Sequence, residues 1–268
     1  NDTWEWNGIQ WHKINIAGTR PPAGYADNAI AYDAMRLEVI LYGGWRSDDT
    51  NHDQTWIYTV TGAGADDRAC VMRTSGIPSQ RAAATMAYDS LRGNTYLFGG
   101  NHWQSFYNDV WMWNGTTWIS KGSTASPRWS VMVYDSDRDR IILFGGAERF
   151  WFTWTENHND TWELNPATNT WTRVIADDEI HLLFRRMSNY MAYDPLRHVT
   201  VLYGGWDHKT DVTFGDTWEY NGITWQQISV VTTAGNRMAY SANRMWYDDV
   251  QGVIFMYDSA DGTLWMYR

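Results

Sequence analysis

Cysteine, positive charge and long hydrophobic runs are all scarce in this chain of 268 residues, and each scarcity excludes a class of protein. Cys70 is the single cysteine, so an intrachain disulfide is excluded, and its apolar surroundings favour an inert thiol over a nucleophile. No apolar run approaches the length of a transmembrane helix, so we expect no membrane insertion. The chain starts at Asn1 without a recognisable signal peptide, as a processed or trimmed form would, and we expect a secreted or periplasmic protein.

Basic residues are outnumbered by acidic ones. Lysine and arginine together number 21 against 31 aspartates and glutamates, so the formal net charge is −10 and the isoelectric point is near 5.0. Binding of nucleic acid requires clustered basic side chains, so this balance argues against a nucleic-acid partner. The same charge disfavours attachment to anionic lipid.

Aromatic residues, in contrast, are abundant, with 19 tryptophans and 16 tyrosines that recur in register. A Tyr-Asp pair followed by a turn and an apolar run occurs five times, which predicts five β-hairpins whose turns are opened by aspartate. The pairs are Tyr32-Asp33, Tyr88-Asp89, Tyr134-Asp135, Tyr193-Asp194 and Tyr247-Asp248. Gly-Gly follows the first four runs, at residues 43–44, 99–100, 145–146 and 204–205, and indicates close backbone approach to a neighbouring sheet.

A second type of hairpin alternates with the first. Its first strand carries Trp4, Trp56, Trp111, Trp162, Trp218 or Trp265, and its second strand carries Trp11, Trp118, Trp171 or Trp225. Asn-Gly separates the two strands at residues 7–8, 114–115 and 221–222. Asn-Gly between alternating apolar residues is the strongest short hairpin signal, because both turn positions accept positive φ.

Two hairpins per unit, repeated roughly every 50 residues, match the size of a four-stranded propeller blade. We therefore predict one all-β propeller domain of five blades, at about residues 25–74, 81–122, 128–175, 186–231 and 238–268. Most tryptophans are expected between the blades. Residues 1–16 are expected to close the ring by pairing Ile9–Ile14 with Thr263–Tyr267, which leaves no place for Thr3–Trp6.

The succession of these motifs resembles the kelch repeat. Tyr-Asp, an apolar run, Gly-Gly, a variable loop and Asp-Thr-Trp-Glu-(Trp/Tyr)-Asn-Gly are clearest in Tyr88–Trp118, Tyr134–Trp171 and Tyr193–Trp225. The chain looks most like bacterial kelch proteins related to the central domain of galactose oxidase, over nearly its whole length. The resemblance implies a propeller, a fold that serves as enzyme, protein-binding platform or glycan binder. The copper site of galactose oxidase with its Cys–Tyr link is not expected, because Cys70 lies in an outer strand.

Long loops follow the Gly-Gly pairs and contain four of the seven histidines. One interpretation is a rim of imidazoles and indoles that stacks on a sugar and bonds its hydroxyl groups. The other is that these polar residues cap exposed turns. The candidate ligand-binding residues are Trp45, His52, His102, Trp103, His158, Trp206 and His208.

Three arginines lie at equivalent places in the loops that precede the inner strands of the second, third and fourth blades. Tyrosines lie at the same place in the first and fifth blades. We expect these residues to face the central channel, where guanidinium groups could bind a carboxylate or phosphate. The alternative is that each arginine bonds backbone carbonyls of the adjacent blade. The five residues are Tyr25, Arg81, Arg128, Arg186 and Tyr240.

No motif predicts catalysis or a cofactor. Residues 49–53 and 135–139 resemble the start of a calcium loop, but neither has the glycine and the glutamate that such a loop needs, so a metal site stays unknown. There is no nucleophile elbow and no phosphate loop. We therefore expect no catalytic residues and no cofactor.

The preferred hypothesis is non-catalytic recognition of a glycan or another extracellular polymer by the long loops. A sugar hydrolase or lyase is the first alternative, with Glu156 or Asp207 paired with His102 or His208. A protein-interaction or purely structural propeller is the second alternative. The sequence leaves the oligomeric state open.

Overall fold

In the computed structural model, the described residues are 2–16, 19–21, 27–45, 52–62, 68–73, 77–103, 105–123, 126, 128–150, 153–177, 183–228, 245–258 and 262–268. Side chains are described for these residues except 149, 150 and 153–156. All regular elements within these ranges are β-strands, and none is a helix that could span a membrane.

The strands form the five blades of a β-propeller, as predicted. Blade 1 consists of β3 (Ala29–Asp33), β4 (Glu38–Tyr42), β5 (Thr55–Val60) and β6 (Arg68–Arg73). Blade 2 consists of β7 (Thr85–Asp89), β8 (Asn94–Phe98), β11 (Asp109–Trp113) and β12 (Trp118–Ser123), with a small hairpin of β9 (Asn101–His102) and β10 (Ser105–Phe106) in its loop. Blade 3 consists of β13 (Trp129–Asp135), β14 (Arg140–Phe150), β15 (Thr153–Asn165) and β16 (Thr170–Ile175).

Blades 4 and 5 follow the same order. Blade 4 consists of β17 (Tyr190–Asp194), β18 (Val199–Asp207), β19 (Val212–Tyr220) and β20 (Trp225–Ile228). Blade 5 has three strands in the described residues, β21 (Met245–Asp248), β22 (Val253–Asp258) and β23 (Thr263–Tyr267). Every blade is antiparallel and its strands are hydrogen-bonded in chain order. The first strands of successive blades pack side by side from β3 to β21, so they surround a central channel.

Four apolar cores lie between the five blades, one for each pair of successive blades from 1–2 to 4–5. In each of three of them, a tryptophan that is the first or second residue of a fourth strand packs on an aromatic side chain in the second strand of the preceding blade. The ring pairs are Trp118 with Tyr42, Trp171 with Phe98 and Trp225 with Phe144, with centroids 5.4, 6.2 and 5.2 Å apart. This geometry explains much of the tryptophan content, because indoles fill the wedge between twisted sheets.

The N-terminal segment differs from the prediction. β1 (Thr3–Trp6) and β2 (Trp11–Ile14) pair only with each other among the described strands, so Ile9–Ile14 does not pair with β23. We call β1 and β2 the N-terminal hairpin. Glu5 accepts hydrogen bonds from Tyr58 and Arg68 of blade 1, and Trp11 packs 5.5 Å from Tyr257 of blade 5. The hairpin therefore lies between blades 5 and 1 as a separate outer sheet rather than as an added strand of blade 5.

Candidate functional site: the loop face and the central cavity

Two sets of loops lie on the same face of the propeller. Strand direction alternates within a blade, so the loops that join second to third strands share a face with the loops that enter the first strands. We call this the loop face. The opposite side, which carries the Tyr-Asp turns and the Asn-Gly turns, is the turn face.

Buried arginine clusters support the loop face in blades 2, 3 and 4. In blade 3, Arg128 donates from Nη1 to Asp160 Oδ1 at 2.6 Å and to the carbonyl of Gly145 at 3.2 Å. Trp162 donates from Nε1 to Asp160 Oδ2 at 2.7 Å. Both side chains of the ion pair are only 3% exposed. The guanidinium donors and carboxylate acceptors thus satisfy each other, as buried charges must.

Blades 2 and 4 repeat this cluster. Arg81 binds Asp109 through both Nη atoms, at 2.6 and 2.8 Å, and its guanidinium lies 4.2 Å from the centre of the Tyr107 ring. Arg186 binds Asp216 through both Nη atoms, at 2.5 and 3.0 Å. Burial alone would raise the pKa of Asp109, but hydrogen bonds from Arg81 and Trp111 and the charge of Arg81 lower it below its usual value.

The guanidinium groups predicted to face the channel are therefore engaged within their own blades. Each arginine does bond a backbone carbonyl, but the acceptors are Gly99, Gly145 and Gly204 of the same blade, so the expectation of carbonyls in the adjacent blade is wrong. Their carboxylate partners, Asp109, Asp160 and Asp216, were not among the candidate residues. The Asp-Thr-Trp motif was the signal that could have identified two of them, because an aspartate regularly precedes that tryptophan.

The backbone of each arginine joins its blade to the preceding one. Gly146 N donates to Arg186 O at 3.0 Å, and Arg186 N donates to His158 O at 3.1 Å. A Cβ on Gly146 would lie 1.9 Å from the carbonyl oxygen of Trp129, and its φ is +102°. The Trp129 contact lies within blade 3, whereas the predicted close approach to a neighbouring sheet is found at Gly145, where an added Cβ would lie 3.0 Å from the carbonyl oxygen of Arg186 in blade 4.

Two loop histidines occupy one repeated backbone position. The carbonyl of His52 accepts from Arg81 N at 3.2 Å, as the carbonyl of His158 accepts from Arg186 N, and Tyr107 has this role for Arg128. A tyrosine at the same position shows that the link depends on the backbone and not on an imidazole.

The His158 side chain is buried between two carboxylates. Nδ1 lies 2.7 Å from Asp177 Oδ2, and Nε2 lies 3.1 Å from Glu148 Oε1. Burial on its own lowers the pKa of His158, but the hydrogen bonds to both carboxylates raise it above its usual value. The two carboxyl groups thus hold the imidazole ring on both sides.

His208 and Asp207 link the loops of blades 3 and 4. His208 Nδ1 lies 3.0 Å from Asn157 Oδ1, and Asn157 Nδ2 donates to Asp207 Oδ1 at 3.1 Å. Asn157 is buried, so both residues are tied to a structural amide. His102 is half-buried in the short strand β9. Among the described side chains, no hydrogen bond or ion pair joins Asp207 to His102 or to His208, and the side chain of Glu156 lies outside the described residues.

The loop tryptophans are accessible. Trp103 is 68% exposed and Trp45 is 39% exposed, while Trp206 is half-buried and donates to Asp211 Oδ1 at 3.2 Å. Trp103 has φ +54°, a left-handed conformation that is unfavourable for a bulky side chain. Asn101 Nδ2 bonds the carbonyl of Trp103 at 3.0 Å and helps to hold it there.

Two channel candidates, Tyr25 and Tyr240, lie outside the described residues. The described part of the chain contains no group of three or more metal-ligating side chains that could hold a metal ion. Asp135, the first residue of one calcium-like segment, accepts hydrogen bonds from the amides of Asp137 and Arg138 and from the Arg138 side chain. Asp135 therefore caps a turn, as predicted for the aspartates of the Tyr-Asp pairs.

A cavity of about 500 Å³ lies on the propeller axis near the turn face. Its walls come from the first strands of all five blades, with methionines and the five Tyr-Asp tyrosines among the lining residues. Met86, Met132, Met191 and Met245 contribute apolar surface to it. Since none of the seven loop-face candidates lines this cavity, the channel and the loop face are separate surfaces.

Comparison with known proteins agrees with this geometry. A family model of the KLHDC2/KLHL20/DRC7 Kelch-repeats domain matches residues 2–182. Human Kelch domain-containing protein 1 is 28% identical over 169 residues, which cover 59% of this chain and 36% of the human protein. The match thus spans little more than a third of the relative's length. The more specific relation to bacterial galactose-oxidase-like proteins stays a prediction. The chain belongs to the family of KLHDC2/KLHL20/DRC7 kelch-repeat domains.

Proposed function

We propose that this kelch propeller is a protein-interaction module that binds an extended protein segment on its loop face. The observation that carries the proposal is the exposure of Trp103 in a left-handed backbone conformation, on a loop supported by a buried hydrogen-bonded frame. An indole supplies large apolar contact area at low entropic cost, which is why tryptophan is enriched at binding hot spots.

The frame beneath the loop is rigid in a way that suits a preorganised binding surface. Arg81 and Arg128 are buried and paired with carboxylates, and their backbone atoms link neighbouring blades. Arg128 N bonds Tyr107 O at 3.3 Å, directly next to the loop that carries Trp103. A surface that needs no ordering on binding retains more of its interaction energy.

The charge of the loops favours a basic partner. Among the residues of the second-to-third-strand loops whose side chains are described, carboxylates outnumber ammonium and guanidinium groups. The acidic residues are Asp53, Glu148, Asp207 and Asp211, and the basic one is Lys209. We therefore propose a partner segment with an aromatic or apolar anchor flanked by lysine or arginine, because complementary charge raises association rates and orients the segment.

A peptide library displayed on phage, with selected sequences confirmed by isothermal titration calorimetry, tests this proposal. Trp103→Gly removes the indole and also relieves the left-handed strain, so we expect the variant to lose binding without losing thermal stability. Ile223→Ala is the matched control, because Ile223 is 82% exposed on an Asn-Gly turn of the opposite face. Equal affinity of the Trp103→Gly variant and the unchanged protein would refute the assignment of this face.

Glycan recognition, the preferred hypothesis from the sequence, is the second candidate here, since the exposed indoles of Trp45 and Trp103 can also stack on a sugar. A glycan array run with the same variants separates the two ligands. Selective sugar binding that Trp103→Gly abolishes, with no selected peptide, would replace the protein ligand by a glycan.

A further inference from the structure

The axial cavity near the turn face has the size and the lining of a small-molecule site. Its volume of about 500 Å³ falls within the range of about 300–1,000 Å³ that is usual for such sites. Seventeen of the twenty described lining residues are apolar or aromatic, and the other three are Ser90, Ser136 and Asp249. Because this lining includes no lysine, arginine or histidine, Asp249 carries its only formal charge.

Tyrosine rings that are held by their hydroxyl groups line this cavity. Tyr134 donates to Asp139 at 3.0 Å and Tyr193 donates to Asp137 at 2.5 Å, so each hydroxyl group is bound to a carboxylate of the blade 3 turn. The two tyrosines are only 9% and 8% exposed. Aromatic rings attract a cation through their quadrupoles, and rings that are already fixed need no ordering when a ligand binds.

Methionines and alanines give the cavity an apolar and adaptable wall. Met132 and Met191 are 1% exposed and belong to the cores between blades 2 and 3 and between blades 3 and 4. Ala87 and Ala192 also line the cavity, and their small side chains leave space that a larger residue would fill. Because thioethers are flexible and polarisable, such a wall can adapt to the apolar body of a ligand.

Three exposed residues lie at the mouth of the cavity on the turn face. Ser90, Ser136 and Asp249 each directly follow the aspartate of a Tyr-Asp pair. In blade 5 that aspartate, Asp248, accepts hydrogen bonds from the amides two and three residues later, so the carboxylate of Asp249 has no part in the cap. Burial raises the pKa of the Tyr247 phenol, and the charge of Asp249 raises it further. The carboxylate therefore lies near an aromatic ring of the lining.

Other turn carboxylates near the cavity have cationic partners, whereas Asp249 has none among the described residues. Asp139 pairs with Arg92 at 2.6 Å, and Asp137 contacts the imidazole of His198. No described lysine, arginine or histidine lies within ion-pair distance of Asp249. The mouth of the cavity thus presents one carboxylate whose charge a ligand could balance.

We propose that the axial cavity binds a small organic cation. Its apolar body would lie among the methionines and tyrosines, and a single ammonium group would bind the carboxylate of Asp249. A carboxylate or phosphate ligand would meet that carboxylate and no basic side chain of the described lining, which disfavours it. The cavity and the loop face are separate surfaces, so this proposal does not depend on the proposed protein ligand.

Three probes with the same apolar body and different head groups test the proposal, namely phenylbutylamine, phenylbutanol and phenylbutyrate. Each is titrated into the whole chain carrying isotope-labelled methionine methyl groups, and NMR spectra give both the dissociation constant and the place of binding. The methyl signals of Met86, Met132 and Met191 should shift, because these residues line the cavity. Met72 and Met266 lie on the third or fourth strand of their blades and should not respond.

The head group distinguishes a cation from other ligands. We expect phenylbutylamine to bind about fivefold more tightly than phenylbutanol, and phenylbutyrate to bind most weakly. Asp249→Asn should reduce the affinity for the amine to that for the alcohol. The affinity for the alcohol should not change, because Asp248 still caps the turn in this variant.

A variant that closes the mouth separates binding in the cavity from binding elsewhere on the surface. Ser136→Trp places an indole at the mouth and should abolish the methyl shifts with all three probes. Ser120→Trp is the matched control, since Ser120 is also an exposed serine but lies on β12 and does not line the cavity. Both variants should melt at the temperature of the unchanged protein.

Two results would overturn the proposal. One is that phenylbutanol or phenylbutyrate binds as tightly as phenylbutylamine, because the ligand would then not be a cation. The other is that millimolar probe leaves the signals of Met86, Met132 and Met191 in place, or that Ser136→Trp does not reduce their shifts, because the ligand would then not occupy the cavity.

Discussion

Arginine–aspartate pairs recur on both faces of the propeller, but they have different structural roles. On the loop face, Arg128 and Asp160 are buried and lie 32 residues apart in the chain. On the turn face, Arg138 and Asp135 lie within one turn, and the arginine is 30% exposed. The first kind of pair binds the loop before the first strand to the third strand of the same blade. The second kind closes a turn that the aspartate already caps through backbone amides.

This difference indicates where the loss of one partner of an ion pair should destabilise the fold most. An intact buried ion pair is often no more stabilising than apolar packing, but removal of one partner leaves an unsatisfied charge away from water. In the turn-face pair only the arginine is partly exposed, and the buried Asp135 carboxylate keeps two backbone amide donors when the arginine is removed, so the loss should be smaller. The two faces should therefore respond differently to the same substitution.

The largest expected effect is that of Arg128→Ala. The substitution leaves the Asp160 carboxylate buried with only the Trp162 hydrogen bond, and we expect a loss of about 3–5 kcal/mol in the free energy of unfolding. Guanidinium chloride denaturation followed by tryptophan fluorescence measures it. Arg128→Lys is the control, since it keeps the charge but not the fork, and should recover part of the loss. A loss below about 1 kcal/mol for Arg128→Ala would mean that the loop face tolerates a buried carboxylate without its cationic partner.

Gly146→Ala should rank next. The new Cβ would meet the backbone oxygen of Trp129 at 1.9 Å, so the link between Gly-Gly and its neighbours must shift. Gly122→Ala is the matched control, because Gly122 also has positive φ, +89°, but nothing lies within 4 Å of the place that its new methyl group would take. We expect about 1 kcal/mol for Gly122→Ala and at least about 2 kcal/mol more for Gly146→Ala, both from thermal unfolding. Equal losses would show that φ alone, and not the close approach, requires glycine there.

On the turn face, Arg138→Ala should cost about 1–2 kcal/mol, measured by the same denaturation. Arg138 donates to Asp135 and, at 2.5 Å, to Glu163, and its guanidinium lies 5.2 Å from the Tyr220 ring centre. Asp135 keeps its two turn amides and Glu163 keeps the Tyr220 hydroxyl, so neither carboxylate is left without a donor. A loss as large as that of Arg128→Ala would erase the distinction between the two faces.

The parts of the fold that could be predicted from the sequence are those fixed by neighbouring residues. The five hairpins, the capping aspartates and the glycine pairs depend on residues a few positions apart, so a single chain displays their pattern. Asp33, for example, accepts from the amides of Met35 and Arg36 two and three positions later. Local geometry of this kind requires no knowledge of which blades touch.

The partners of Arg81 and the place of the N-terminal hairpin could not be predicted in the same way. Arg81 and Asp109 lie 28 residues apart, and Asp89 is nearer to Arg81 in the chain, so the sequence alone does not select the pair. Trp4 and Trp265 carry the same motif, which made both candidates for one third-strand place. Only the contacts of Glu5 with blade 1 and of Trp11 with blade 5 separate the two positions.

The smallest expected effect concerns His158, whose burial between Asp177 and Glu148 gives the loop face a pH dependence. The folded-state pKa of His158 is raised above the ordinary 6.5, so its stabilising contribution is complete below pH 6.5 and is lost as the pH rises through the folded-state pKa. His158→Gln keeps hydrogen-bonding groups but cannot become charged. The melting temperature of the unchanged protein should therefore exceed that of the variant most near pH 6, and the difference should shrink above neutral pH. Melting curves of both proteins between about pH 5.5 and 9 test this expectation within the usual titration range of histidine. A constant difference across that range would mean that the ring is bound as a neutral group, and that the two carboxylates do not act on its charge.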